Sequence, residues 1–181
     1  MNLYDFKVMT RKGEEVSLEE YRGKVVLVVN TATGCGFTPQ YTDLQSIYDE
    51  LHEEGLEILD FPCNQFANQA PGDDEEIHTF CTGRFGIKFP QFAKVDVNGE
   101  NAIPLYKWIT ENTTFEGFDG PAKLLLSPVV KKMDKDYKEN GNIKWNFTKI
   151  LIGRDGEIIG RFEPTASMDK LRETIRKELA K

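Results

Sequence analysis

The segment Val25-Val26-Leu27-Val28-Val29-Asn30-Thr31-Ala32-Thr33-Gly34-Cys35-Gly36-Phe37-Thr38-Pro39-Gln40 carries the chain from an unbroken apolar run, through a turn with one cysteine between two glycines, into a helical pattern. β-branched residues without polar alternation predict a strand over 24–30 that is buried on both faces. Pro39 suits a helix start, where its missing N–H would have no partner. Tyr41, Leu44, Ile47, Tyr48 and Leu51 then recur at helical spacing within 39–54, and Gly55 ends the helix. A strand followed by a turn and a helix sets Cys35 at the carboxyl end of a sheet, where ligands and chemistry gather in open α/β folds.

The rest of the chain extends this alternation. Residues 4–8 and 14–18, joined by Arg11-Lys12-Gly13, predict an N-terminal hairpin. Leu56 to Phe61 reads as a second strand, and Asp73-Asp74-Glu75-Glu76 as a helix start whose acids suit the positive end of the helix dipole. Phe92–Val97, ended by Asn98-Gly99, reads as a third strand-like piece, and Ile103 to Ile109 as helical. Phe147–Ile152 and Ile158–Phe162, joined by Arg154-Asp155-Gly156, predict a hairpin, and Leu171, Ile175 and Leu179 mark a closing helix. Helices between strands imply an α/β domain over 1–181, with a central mixed sheet flanked by helices. Residues 113–142, rich in Gly, Lys and Asp around Leu124-Leu125-Leu126-Ser127-Pro128-Val129-Val130, read as an insertion that covers a surface or a partner subunit.

Composition narrows the function classes. With 181 residues, 39% hydrophobic and 29% charged, the chain has the profile of a soluble globular domain with a real core. A net charge of -7 and the lack of a basic, aromatic-interleaved run argue against a nucleic-acid surface. No apolar run approaches the roughly 18 residues that would cross a membrane, so stable membrane insertion is not expected. The N-terminus MNLYDFKVMTRKGEE lacks the apolar core of a signal peptide, and a cytoplasmic location is the expectation. Three cysteines (Cys35, Cys63 and Cys81), without a C-x-x-C pair, are too few for a disulfide scaffold. With His52 and His78 they show no zinc-ligand spacing, so no metal or other cofactor is expected.

Cys35 admits two readings from its turn alone: a small buried residue in a glycine-rich loop, or a nucleophile. A thiol near a helix start has nearby backbone amides to favour its thiolate, and flanking glycines let a substrate approach closely. The second stretch, Phe61-Pro62-Cys63-Asn64-Gln65-Phe66-Ala67-Asn68-Gln69-Ala70-Pro71-Gly72, places amides after a strand. Amides donate hydrogen bonds to an anion without titrating. Turn chemistry explains the Asn, Pro and Gly there more easily than it explains Gln69. The third, Lys144-Trp145-Asn146-Phe147-Thr148-Lys149, offers an indole donor beside an amide, and taken alone also suits a core Trp with a turn Asn.

Taken together, in this order and at these separations, the stretches resemble the signature regions of the glutathione peroxidase family. Asn30 to Thr38 resembles its peroxidatic turn, Leu59 to Gly72 its second block, and Trp145 to Ile152 its third. Phe89-Pro90-Gln91-Phe92-Ala93-Lys94-Val95-Asp96-Val97-Asn98-Gly99 is similar to a further block. The chain resembles a cysteine-containing, bacterial-like member of a family in which some members hold selenocysteine at the position of Cys35. The resemblance implies a thioredoxin-like fold and a catalytic tetrad of Cys35, Gln69, Trp145 and Asn146. Thr38 stands where a thioredoxin has its second cysteine, which favours peroxide chemistry over dithiol exchange.

The implied reaction is attack of the Cys35 thiolate on hydrogen peroxide or an organic hydroperoxide, giving a sulfenic acid and water or an alcohol. Glutathione, or thioredoxin or glutaredoxin, would restore the thiol. The resemblance implies that thioredoxin-dependent members carry a resolving cysteine on the helix after the second block. Cys81 is the candidate, falling one residue early, a turn of about 100° on a helix. Cys63 reads as structural. Ala70, where members usually carry Glu, and Asp60, where a small or apolar residue is commoner, depart from the pattern. The 113–142 segment implies a homo-oligomer and small peroxides. Two alternatives stand beside the peroxidase: a redox sensor or relay oxidised at Cys35, and a non-catalytic thioredoxin-like scaffold.

Overall fold

The computed structural model describes all residues from Met1 to Lys181. An antiparallel hairpin of β1 (Lys7–Met9) and β2 (Glu15–Ser17) opens the chain, between 3-10 turns at Leu3–Asp5 and Leu18–Tyr21. β3 (Val25–Thr31) and β4 (Leu56–Pro62) then pair in parallel, with α1 (Gln40–Leu51) crossing between them. α2 (Asp74–Phe85), α3 (Pro104–Asn112) and α4 (Ala122–Met133) follow. The chain ends with antiparallel β5 (Lys149–Ile152) and β6 (Ile158–Phe162) and the helix α5 (Met168–Leu179). The main sheet has the order β4-β3-β5-β6, mixed in direction.

Every residue of β3 and β4 is buried. That is the burial an unbroken apolar run demands, and only a strand covered on both faces supplies it. α2 starts on a capping box. Asp73 Oδ1 accepts from the Glu76 N–H at 2.9 Å, and Glu76 Oε2 accepts from the Asp73 N–H at 3.0 Å. Its apolar residues Ile77 and Cys81 are buried four apart.

Phe92–Val97 does not form a strand. Residues 91 and 92 make single bridges, Gln91 to Asp60 and Phe92 to Thr10, and the ladder stops there. The segment shares its hydrogen bonds among three neighbours: Ala93 N–H to Met9, Lys94 N–H to Asp74, and Val95 N–H to Pro62. Strand-like composition marks an extended piece, but no single partner runs beside it.

The 113–142 insertion holds α4, whose Leu126 and Val130 face inward while Leu124 and Leu125 are about 80% exposed. A buried guanidinium ties the insertion's two ends to β6. Arg161 pairs with Glu163 at 2.6 Å, and its remaining donors reach Thr113 Oγ1 and the carbonyls of Gly141 and Asn142. This arrangement leaves no room at Gly141, where an added Cβ would lie 2.0 Å from the Thr110 carbonyl oxygen. Gly83, exposed within α2, has nothing within 4 Å. Gly83→Ala is therefore expected to stabilise the fold by about 0.5–1 kcal/mol. Gly141→Ala is expected to destabilise it by about 1–3 kcal/mol. Denaturant midpoints for the two variants should move in opposite directions, and a shared direction would contradict this packing.

Candidate active site

The Cys35 turn is built by Thr38. Its Oγ1 accepts from the Cys35 N–H at 3.0 Å and donates to the Ala32 carbonyl at 2.8 Å, while its own N–H reaches the Cys35 carbonyl at 3.0 Å. One hydroxyl thus satisfies both backbone groups released where β3 ends. The Phe37 N–H then points back to Cys35 Sγ at 3.3 Å, the one well-formed hydrogen bond to the sulfur. The two glycines serve different ends. A Cβ on Gly34 would press on the Gln69 carbonyl at 3.2 Å, whereas one on Gly36 would meet nothing within 4 Å. Gly34 permits a close backbone approach, and Gly36 is exposed, with open space beside its Cα.

The second stretch folds back because Ala67 and Asn68 both take left-handed backbone angles, with φ of 55° and 52°. That turn brings the Gln69 carbonyl onto the Gly34 N–H at 2.8 Å and the Thr33 hydroxyl at 3.4 Å. The neighbouring amides have other duties. Asn64 Oδ1 holds the Ala70 N–H, and Gln65 Oε1 holds the N–H groups of Val97 and Asn98. Asn98 in turn clasps Ile143 through both its side-chain atoms, at 2.7 and 2.8 Å. Gln65 and Asn98 therefore link the second stretch to the third. Residue type gave no sign of this, because each acts on backbone remote in sequence.

The third stretch is held at the end of β3. Asn30 donates to the Trp145 carbonyl at 3.3 Å, and its own carbonyl accepts the Phe147 N–H at 2.6 Å. Phe147 has φ of 67°, a strained angle for a large side chain, and is fully buried. The reversal it makes separates Trp145 and Asn146 from the ladder that starts at Lys149. The Phe66 ring backs the indole at a centroid distance of 5.8 Å.

The structure brings Cys35, Trp145, Asn146 and Gln69 together. The indole and the Asn146 amide stand against the sulfur and favour its ionised form. Asn146 Nδ2 also donates to Gln69 Oε1 at 3.2 Å. Gln69 thus meets Asn146 through its side-chain oxygen, and no hydrogen bond joins its side chain to the sulfur. Cys35 is 6% exposed. Burial raises its pKa above the ordinary thiol value, and the Phe37 N–H, Trp145 and Asn146 oppose that rise in part.

The other thiols are elsewhere. Cys63 is fully buried, donates weakly to Gln65 Oε1 at 3.6 Å, and has its pKa pushed up to about 11 by burial. Cys81 is fully buried on α2 beside Tyr41, Gln91 and Asp60, with its pKa also raised by burial to about 11. It is not among the groups that surround Cys35.

Comparison with known proteins gives a consistent picture. The family model described as glutathione peroxidase matches residues 3–110. A glutathione peroxidase of Lactococcus lactis subsp. cremoris is 46% identical over 179 residues, covering 99% of this chain and 100% of that protein. The glutathione peroxidase homolog BsaA of Bacillus subtilis is 44% identical, covering 99% of each. Among solved structures, the apo form of Trgpx superposes with a TM-score of 0.72 at 36% identity, over 100% of this chain and 97% of that one. A thiol:disulfide interchange protein of the thioredoxin family from Chlorobium tepidum superposes with a TM-score of 0.59 at 14% identity, over 96% of this chain and 92% of that one. The last likeness concerns the fold alone, which is thioredoxin-like.

The balance at Cys35 has a direct readout. Its alkylation rate by iodoacetamide is expected to climb with pH through a midpoint above the ordinary thiol range. Asn146→Leu is expected to shift that midpoint further up, because it removes a donor that favours the thiolate. An Asn146→Leu profile that superimposes on the wild type would show that the amide does not act on the sulfur.

Proposed function

The chain belongs to the glutathione peroxidase family, and from that premise we propose that the hydroperoxide it reduces is attacked by the Cys35 thiolate. Convergence carries this reading. Two segments more than a hundred residues apart in sequence set the Phe37 N–H, the Trp145 indole and the Asn146 amide around one cysteine sulfur. All three are neutral, so they favour negative charge there at any working pH.

In the first half-reaction the sulfur lone pair attacks one peroxide oxygen and the O–O bond breaks. The products are Cys35–S–OH and an alkoxide or hydroxide, which takes a proton to leave as alcohol or water. In the second half-reaction a thiol attacks the sulfenic sulfur, forming a mixed disulfide and water. A further thiol then releases Cys35 and carries the disulfide away. The scheme uses no bound cofactor.

We read the reducing thiol as an external one, glutathione foremost. The support is the placement of Cys81, which is buried in a polar cluster beside Tyr41 on a different helix from the Cys35 turn. A route through Cys81 would require α2 to open first. Three free thiols suit a reducing, cytoplasmic setting. The nearly closed Cys35 suits hydrogen peroxide and small organic hydroperoxides. The exposed Leu124, Leu125, Val129 and Met133 of α4 suit contact with a second copy of the chain. No helix is long and apolar enough to cross a membrane.

Peroxide-dependent NADPH consumption, coupled in parallel through glutathione and through thioredoxin, tests both halves. Cys35→Ser is expected to abolish turnover in both assays. Trp145→Phe is expected to slow it by about 10²–10³-fold while leaving the protein folded. Cys81→Ser is expected to retain both activities. Loss of the thioredoxin-linked rate alone would instead make Cys81 the resolving thiol.

A further inference from the structure

Two buried charged residues take no part in the reaction just described. Asp60 of β4 pairs in register with Val29 of β3, and Val29 with Lys149 of β5, so the two lie in one cross-strand row on either side of the central strand. Their exposures are 0% and 1%. Burying a charge is costly unless something compensates it, yet the hydrogen-bond partners of both are neutral.

All of those partners but Gln91 share a location. Asp60 accepts from the Thr31 hydroxyl at 2.5 Å, from the Tyr41 hydroxyl at 2.8 Å and from Gln91 Nε2 at 2.8 Å. Lys149 Nζ donates to Gln40 Oε1 at 2.5 Å. Thr31 is the last residue of β3, and Gln40 and Tyr41 are the first two of α1. They are the two ends of the loop that carries Cys35. That loop winds directly into the helix, with the N–H groups of Thr38, Gln40 and Tyr41 bonded to the carbonyls of Cys35, Phe37 and Thr38. α1 has Pro39 at its cap position and no side-chain cap. The usual device for fixing a helix start is missing, and side chains rising from the sheet take its place.

We propose that Asp60 and Lys149 are positioning residues, which clamp the two ends of the Cys35 loop from below and so hold the sulfur against Phe37, Trp145 and Asn146. The proposal rests on the reading of Cys35 as the attacking thiol. The charge states agree with it. Burial raises the Asp60 carboxyl to about 6, so at neutral pH it is mainly the acceptor-only form that its three donors need. Burial lowers Lys149 to about 7, against the favourable charges of Glu163, Asp43 and Cys35. Cys81 faces the carboxyl from α2, and His78 holds Gln91 from its outer side at 3.1 Å.

The test measures single-turnover sulfenic acid formation with hydrogen peroxide, together with the pH profile of Cys35 alkylation. Asp60→Leu and Lys149→Met are each expected to slow sulfenic acid formation by about 10–100-fold, the scale of a small misplacement of a reacting group. Both should also displace the alkylation profile. Tyr41→Phe and Gln40→Leu remove only the groups that the clamp grips, and they keep the question answerable if a core substitution fails to fold. They are expected to shift the profile in the same direction, and Asp60→Asn to fall between Asp60→Leu and the wild type. Folded Tyr41→Phe and Gln40→Leu proteins with wild-type rates and profiles would overturn the clamp. Sulfenic acid formation that survives Cys35→Ser would instead remove the reading beneath it.

Discussion

A sulfur that is 6% exposed is an unfavourable place for a negative charge, and the rest of the site answers to that constraint. Water cannot solvate the thiolate there, so protein dipoles must stand in for it. A cation within contact distance would also serve, but it would bind the thiolate as a tight pair and lower its nucleophilicity along with its pKa. Neutral N–H groups stabilise the anion less strongly and leave the sulfur able to attack. The Phe37 backbone, the Trp145 indole and the Asn146 amide are donors of this neutral kind.

Donors must be fixed in advance to be of use, and the chain fixes them with strain and with side chains that bind backbone. Ala67 and Asn68 on one segment and Phe147 on another are the only non-glycine residues with positive φ, and each lies within two residues of Gln69 or Asn146. Such angles persist when the surroundings determine them more strongly than local preference does. At Phe147 that means a fully buried ring and an N–H held by Asn30 at 2.6 Å. The site is therefore an extension of the core, and Cys35 and Trp145 belong to the same apolar cluster as β3 and β4.

This division explains what the sequence could reveal. β3, α1, β4, the start of α2 and the terminal hairpin with α5 were all legible, because periodicity and caps act within a few residues. The grouping of Cys35, Gln69, Trp145 and Asn146 came from family likeness, since no local pattern joins positions 35 and 146. Gln65, Asn98 and Asn30 escaped notice for the same reason: their work is done on backbone far along the chain. Residues 92–97 misled in the other direction, having strand-like residues but hydrogen-bond partners on three different elements. The helix α4 was hidden by Pro128 and by apolar residues on its outer face.

Thr38 shows how one fold comes to hold a different chemistry. A dithiol enzyme of this architecture needs a second sulfur one turn beyond the first, to attack the mixed disulfide. In that position this chain has a hydroxyl, already committed to the Cys35 N–H and the Ala32 carbonyl. A thiol there would make a poorer acceptor and donor, so the residue that removes a second sulfur also tightens the turn that presents Cys35. On the proposed mechanism an oxidised Cys35 has no local partner. Its return to the thiol depends on a reductant from outside the turn. The likeness to thiol:disulfide interchange proteins thus ends at the backbone, and the chemistry is set by which side chains fill the positions around it.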